Sequence, residues 1–458
     1  MANTAQTQQW SSGFTFLLAA IAGSVGLGNI WRFPYVAGEN GGGAFVIIYL
    51  IAVVVIAIPI LIAELAIGRR GHHNPVDAMI AVTDEAKAGR TWHLAGWVGL
   101  LTGFAITTFY CVIAGWTLDY LWASLTSPLL DQSPEGIAAS FEELLTSPVR
   151  MIVWQGLFIL LCCLVLVRGL KDGIEAAVKV LLPALFLFLV GLVVYAAITS
   201  ATGFAHAAHY LFAPDFSALT ANSILVAIGQ AFFSIGVGMG LMMAYGAYLP
   251  RDVSIPHTAV IISLADTFVA VLAGLAVFPF VFQYGLDAGE GPGLVFVTLP
   301  VAFSAMTGGW MVSVIFFALL AVAALTSVIA LLQAAIAFLE DRWGMSQKRA
   351  TVIVGFAAWV LGISSALSFN ILKDFYPLGL FDLFAGKTIF DSIDFLTSSI
   401  MMPLAAILMA LFFAWRMPRS AVIEELRPDH PALFWIWRIF AGVVAPVGIA
   451  AIMISALI

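Results

Sequence analysis

Charge is what this chain has least of. Only 10% of its 458 residues are Asp, Glu, Lys or Arg, against 62% hydrophobic, too few to cover the surface of a water-soluble protein of this size. Cysteine is almost absent as well. Cys111, Cys162 and Cys163 all lie inside apolar runs, and adjacent Cys162 and Cys163 are poorly placed to bridge each other, so no disulfide is expected. His72 and His73 sit in a loop, and no His/Cys cluster has metal-ligand spacing, which argues against zinc chemistry. There is no Walker A sequence, which argues against an ATP-driven pump. No activated nucleophile points to an enzyme, and no basic cluster points to a nucleic-acid partner. The first apolar run lacks a basic leader and a small-residue cleavage site, and is expected to stay in the mature protein rather than act as a signal peptide.

What is present is a series of apolar runs long enough for spanning helices, which need about 20 residues. They fall at about 12 to 37, 43 to 67, 94 to 125, 151 to 167, 175 to 199, 221 to 247, 257 to 284, 309 to 339, 350 to 369, 388 to 415 and 432 to 457. The expectation is an all-α, polytopic membrane protein with eleven transmembrane helices, surrounded by membrane lipid. With the N-terminus in the cytoplasm, Lys and Arg concentrate on the inner side and only Arg32, Arg150, Lys373 and Lys387 face outward, as the positive-inside rule demands. An odd number of spans then places the C-terminus outside.

Two spans are interrupted. Residues Gly23 to Pro34, GSVGLGNIWRFP, mix glycines with Asn29 and Arg32 where a spanning helix should be continuous, and FFSIGVGMGLMMAYGAY, Phe232 to Tyr248, does the same in the sixth span. Backbone can leave the helix at membrane depth only where it lines a protein cavity or ion site. Breaks in the first and sixth spans suggest a five-plus-five inverted repeat with its site at the midplane, repeat one at about 10–200, repeat two at about 221–416 and an additional helix at about 432–458. The alternative, that the glycines merely allow close packing, suits Gly99 and Gly103 better than the two breaks, which polar residues accompany. Among the connections, the segment 126 to 149 is acidic and carries Pro128, Pro134 and Pro148, while 285 to 308 is apolar enough to fold back as a small helical hairpin over the outer mouth, a candidate lid.

Ionisable groups inside spans are functional candidates. Asp266 lies deep in the apolar seventh span, where it either carries a proton or faces a cation; cation coordination is the stronger reading. Glu64 can hydrogen-bond the groups left open by a broken helix. Asp119, near the outer end of the third span, reads as solvated or capping. Thr326 and Ser327 either bond back one turn or complete an oxygen cage for a hard cation.

The first-span motif GSVGLGNIWRFPYVAGENGGGAF, together with QAFFSIGVGMG, ALTSVIALLQAAIAFLED and TIFDSIDF in that order, resembles the neurotransmitter:sodium symporter family, in its bacterial amino-acid branch, whose structural prototype is the bacterial leucine transporter. Eleven rather than twelve spans match a bacterial subset of that family.

The resemblance implies a sodium ion held by the Ser24 carbonyl, Asn29, Ser234, Asp266 and the substrate carboxylate, and a second among the carbonyls of Ala22, Val25 and Ala323 and the hydroxyls of Thr326 and Ser327. It implies a substrate carboxylate at the Gly28 N–H and the Tyr110 hydroxyl, an ammonium at carbonyls near Ser24 and Phe233, and a side chain among Gly23, Ile106, Phe233, Gly236, Met239, Ser327 and Leu331. Gly26 stands where monoamine carriers of the family have Asp, which favours a substrate that brings its own carboxylate. The implied outer gate is Arg32 with Asp394, closing over Tyr110 and Phe233. At the inner end the usual basic partner of Asp341 is missing: Thr7 precedes Trp10 and no Lys or Arg occurs before Arg32. Closure there is expected either to rest on Trp10 packing or to be looser. Chloride-dependent relatives hold the anion near Tyr49, Gln230 and Ser234. This chain has Ala270 where the prototype has Glu, and Asp266 where it has Asn, so the Asp266 charge is expected to replace chloride. The function implied is sodium-coupled symport of a neutral, large and apolar amino acid, with a sodium-dependent sensor that does not transport as the alternative.

Overall fold

The computed structural model describes residues 9–126, 133–285 and 293–457, and every regular element among them is helical. Thr7, Pro128 and the first part of the predicted lid, 286–292, lie outside the described residues. The first span is a bent pair: α1, Gly13–Ser24, and α2, Gly28–Glu39, meet at 52°. Ser12 caps α1 by accepting from the Thr15 N–H while the Thr15 side chain accepts from the Ser12 N–H, which fixes the start of the helix. Val25 ends it in an extended conformation (φ −69°, ψ 110°), and α2 begins with a π-type turn over Gly28–Arg32, a distortion that recurs at functional sites.

The remaining elements follow in order. The second span is α3, Gly43–Gly71. It is joined by α4, Pro75–Glu85, to α5, Arg90–Thr126, the third span. After α6, Pro134–Thr146, come α7, Pro148–Leu166, and α8, Leu170–Thr199, then the short α9, Ala201–Phe212. The sixth predicted span is two helices, α10, Ala221–Ile235, and α11, Leu241–Gly246. Beyond it lie α12, Ile255–Gln283, the short α13, Leu294–Ser304, and α14, Gly309–Trp343. The chain closes with α15, Gln347–Leu367, α16, Ile389–Arg416, α17, Arg419–Leu426, and α18, Pro431–Leu457.

Nine helices among the described residues are individually long and apolar enough to cross a membrane, and the bent α1–α2 pair makes ten. The broken α10–α11 pair occupies the remaining predicted position. The centre belongs to α5 and α14, buried over 83% and 72% of their most apolar stretch, whereas α8 and α18 are buried over only 28% and present the rest outward to lipid.

The link between α10 and α11 is where glycine is required. Gly236, Gly238 and Gly240 have φ of 74°, 84° and 74°, a region side chains disfavour. A Cβ on Gly238 would also run into the Met402 carbonyl on α16. The Gly238 N–H donates to Glu64 Oε1 at 3.2 Å from a fully buried Glu64 on α3, so Glu64 meets backbone that the broken helix leaves open, as its sequence position suggested. Gly99 and Gly103 let α5 approach this link: a Cβ on Gly103 would lie 2.5 Å from the Met239 carbonyl. We predict that Gly238→Ala destabilises the protein by about 1–3 kcal/mol, the usual cost of a strained backbone position. Thermal unfolding in detergent tests this, and an unchanged midpoint would show that the link adopts another conformation.

Two expectations change. Asp119 is neither solvated nor a cap: it is buried, and both its oxygens accept from Arg150 at 2.8 Å, because the start of α7 returns beside the outer part of α5. The candidate lid, within its described part, is one short helix rather than a hairpin. Phe296 on α13 packs against Trp116, Tyr120 and Phe141 with ring centroids 5.6, 5.2 and 5.4 Å away, so aromatic packing holds it down over the outer bundle.

Candidate functional site

The two breaks face one cavity, lined by Gly23, Ser24, Gly26, Gly28, Ile106, Tyr110, Phe233, Ser234, Gly236, Met239, Leu241, Ser327 and Leu331. The ten residues expected to contact a substrate are in that lining, and Ser234, expected at both the substrate and the first cation, is there with them. Leu241 was missed: it opens α11 beyond the third glycine, and nothing in the local sequence reveals that the chain turns it back. The walls are mostly apolar, and the polar atoms come from broken backbone and a few hydroxyls, the usual makeup of a small-molecule pocket.

Side chains satisfy the freed backbone of the first break, those of Tyr110 and Ser327 from other helices and that of Asn29 from the first span itself. The Leu27 N–H donates to the Tyr110 hydroxyl at 2.9 Å, the Gly26 N–H to Asn29 Oδ1 at 3.0 Å, and Ser327 Oγ donates to the Val25 carbonyl at 3.1 Å. Gln230 Nε2 reaches the Gly28 carbonyl at 3.1 Å, tying α10 to α2. The Gly26 position is tight, since a Cβ there would stand 2.6 Å from Ser327 Oγ and 2.9 Å from the Tyr110 hydroxyl.

Next to the cavity Asn29, Ser234 and Asp266, three of the residues expected around a first cation, form one buried cluster. Asn29 Nδ2 donates to Ser234 Oγ at 2.8 Å and to the Asp266 carbonyl at 3.1 Å, and Ser234 Oγ donates to Asp266 Oδ2 at 2.6 Å. Asp266 Oδ1 is fully buried and has no hydrogen-bond partner. A buried carboxylate oxygen left unpartnered calls for a cation or a proton, and a donor set made only of oxygens suits a hard cation. Tyr49 Oη, Gln230 Oε1 and Thr267 Oγ1 are also buried and unpartnered. Ala270 is fully buried on the same helix as Asp266.

A second oxygen cluster lies between α1 and α14. Thr326 Oγ1 donates to the Ala323 carbonyl at 3.0 Å, and Ser327 Oγ reaches both the Ala323 carbonyl, at 3.2 Å, and the Val25 carbonyl. The first reading of this pair is what the structure shows, the hydroxyls bonding back along α14, and Ser327 in addition meets the broken first span. Ala22 is fully buried on α1, three residues before Val25.

Beside the central cavity, a second one includes Trp31, Arg32, Tyr35, Phe109, Phe390 and Asp394 in its lining and shares Gly28, Tyr110 and Phe233 with the first. Arg32 and Asp394 face this vestibule together but form no ion pair within 4.0 Å, unlike the direct pair expected. The Arg32 guanidinium instead lies 4.3 Å from the centroid of the Phe233 ring, a cation–π contact that caps the ring separating the two cavities.

At the opposite end of the bundle, near the start of α1, Trp10 is buried against Phe16 and Tyr245 and donates from Nε1 to the Tyr245 carbonyl at 3.1 Å. Asp341, which lacks the basic N-terminal partner usual in the family, is met by other groups. Its Oδ2 accepts from the Asn74 N–H at 2.8 Å and from Asn74 Nδ2 at 3.0 Å, with His73 Nδ1 at 3.8 Å. Arg342 meets Asp77 at 2.7 Å beside it. Thus α4, rather than an N-terminal base, engages the inner end of α14.

Comparison with known proteins agrees with this architecture. The model of the Sodium:neurotransmitter symporter family matches residues 7–134 and 135–458. An uncharacterized sodium-dependent transporter of Bacillus subtilis is 35% identical over 98% of this chain and 97% of its own length. Another from Methanocaldococcus jannaschii is 32% identical over 98% of this chain and 90% of its own. The crystal structure of MhsT in complex with L-phenylalanine superposes with a TM-score of 0.88 at 38% identity, covering 98% of this chain and 99% of that one. That fold carries the inverted repeats anticipated from the two broken spans. A bundle broken in its first and sixth spans, together with these matches along the whole sequence, makes this chain a member of the sodium:neurotransmitter symporter family, a multi-pass membrane protein of a sodium-dependent transporter family.

Proposed function

We propose that the protein is a sodium-coupled symporter of a large, neutral, apolar amino acid, working by alternating access and without chloride. The observation that carries this reading is the central cavity itself: apolar walls from Ile106, Phe233, Met239 and Leu331 stand over a buried carboxylate oxygen on Asp266 that lacks a partner. A zwitterion fits that division, its side chain among the apolar walls and its carboxylate shared between the α2 backbone at Gly28, the Tyr110 hydroxyl and a sodium ion at Asp266. Helix-start amides favour the anionic end. Phenylalanine bound to MhsT supports a substrate of this size.

Two sodium ions are assigned. The first uses the Ser24 carbonyl, Asn29, Ser234 and Asp266; the second uses carbonyls of Ala22, Val25 and Ala323 with Thr326 and Ser327. A tenfold sodium gradient supplies ~1.4 kcal/mol per ion and a 100 mV potential ~2.3 per charge. Two ions thus offer about 7 kcal/mol, or roughly 10⁵-fold accumulation of a neutral zwitterion. Outer access passes Arg32, Asp394 and Phe233, and inner access passes Trp10 and the Asn74–Asp341 contact. The first, second, sixth and seventh spans rock against the third, fourth, eighth and ninth. The N-terminus is assigned to the cytoplasm and the C-terminus to the outside, in an inner membrane.

Equilibrium binding in detergent tests the substrate class. With sodium present, radiolabelled leucine, phenylalanine or tryptophan is expected to bind and to lose affinity when potassium replaces sodium. Preferential binding of glutamate, lysine or a monoamine would overturn the assignment.

A further inference from the structure

The junction of α16, α17 and α18 carries a feature that transport does not use. Arg438, early in α18, lies with its guanidinium 4.6 Å from the Trp415 ring centroid, 5.6 Å from Phe434 and 5.4 Å from Trp435. Arg419, at the start of α17, lies over the same two rings of α18, 5.4 Å from Phe434 and 5.3 Å from Trp435. Two like charges are therefore gathered at one aromatic platform. Neither has a carboxylate within 4.0 Å among the described residues.

The carboxylates of α17 are engaged elsewhere. Glu425 holds Arg69 at 2.7 Å and Arg70 at 3.1 Å, and Glu424 holds Arg70 at 3.1 Å and Arg251 at 3.8 Å. Asp429 lines a neighbouring cavity with Ser254 and His257. The platform is fixed in place, because Trp415 Nε1 donates to the Gly442 carbonyl at 2.9 Å and Arg438 Nε to the Ala414 carbonyl at 2.8 Å. That bond uses one donor of Arg438.

The surroundings face lipid. Trp415 and Trp435 are 45% and 44% exposed, next to exposed Leu433, Ile436 and Ile439 on α18. Exposed indoles at the end of a spanning helix mark the depth of the headgroups, and planar guanidiniums there match phosphate oxygens. We propose that Arg419 and Arg438, stacked on Phe434 and Trp435, bind the phosphate headgroup of an anionic phospholipid in the adjacent leaflet. Charge complementarity selects that occupant: two uncompensated cations at the membrane surface attract anionic lipid, not a zwitterionic one.

Native mass spectrometry of the full protein, exchanged into equal amounts of phosphatidylglycerol and phosphatidylcholine, tests the site. Phosphatidylglycerol is expected to be retained in preference by about 30-fold, the value for two surface arginines. The R419Q/R438Q variant is expected to lose the preference, and the K348Q/R349Q variant, altered in the first turn of α15, to keep it. Arg419→Gln alone, at an exposed side chain, lowers the preference about fivefold and keeps the test valid if changing Arg438 impairs folding. Preference unchanged in R419Q/R438Q, absent from the unaltered protein, or abolished by millimolar inorganic phosphate would overturn a lipid site.

Discussion

Asp266→Asn is expected to raise the sodium concentration for half-maximal uptake by about 100- to 1,000-fold in chloride-free medium. The estimate follows from removing one charge about 4 Å from a bound ion at an effective dielectric constant near 20, worth ~4 kcal/mol at most. Asp266 is fully buried, and its Oδ1 has no protein partner. Asn preserves the shape and can still meet Ser234, so the loss reports charge and not packing. The same substitution is expected to make uptake respond to chloride. A diffusible anion can then restore the balance among Tyr49, Gln230 and Ser234, where the Tyr49 hydroxyl, a group able to donate, stands buried and unpartnered. The unaltered protein is expected to be indifferent to chloride. A chloride requirement with Asp266 intact would contradict this account of charge balance.

Gly26→Ala is expected to weaken substrate binding by about 100-fold or more while leaving the fold intact. The added Cβ would stand 2.6 Å from Ser327 Oγ and 2.9 Å from the Tyr110 hydroxyl, closer than such atoms approach, so one or both must move. Both are working groups: Ser327 donates to the Val25 carbonyl and Tyr110 accepts from Leu27. Displacing them misplaces the carboxylate contact and the second oxygen cluster together, and a misplacement of about 1 Å is enough for a loss of this order. Gly229→Ala is the matched control, since the nearest atom to its Cβ is 4.0 Å away. Binding affinities of the two variants, with their thermal midpoints, check the prediction. Equal affinity in Gly26→Ala would show that the cavity is looser there than the structure describes.

Both predictions use features legible in the sequence. Glycine, Asn29 and Arg32 in the middle of an apolar span can be accommodated only where backbone lines a cavity, so the breaks announced their own function. Asp266, an acid in an otherwise apolar helix, stood out on the same ground. What stayed hidden depends on which helices meet. The Asp119–Arg150 pair spans 31 residues and a connection, so no local pattern signals it. The Asn74–Asp341 contact joins positions 267 residues apart, and only the docking of α4 beneath α14 creates it. Arg32 stacks on Phe233 rather than pairing with Asp394, a choice set by the separation across the vestibule and not by residue type. Phe296 fixes α13 against Trp116 and Tyr120 of α5 and Phe141 of α6, contacts that apolar content alone does not reveal.

The most direct measurement is uptake of a labelled large apolar amino acid into proteoliposomes under an inward sodium gradient, with chloride replaced by gluconate and with a potassium-only control. The account predicts accumulation above the bath concentration that requires sodium, survives chloride removal and collapses when a sodium ionophore dissipates the gradient. Saturable sodium-dependent binding without accumulation would contradict it, leaving a protein that senses its ligand but does not carry it.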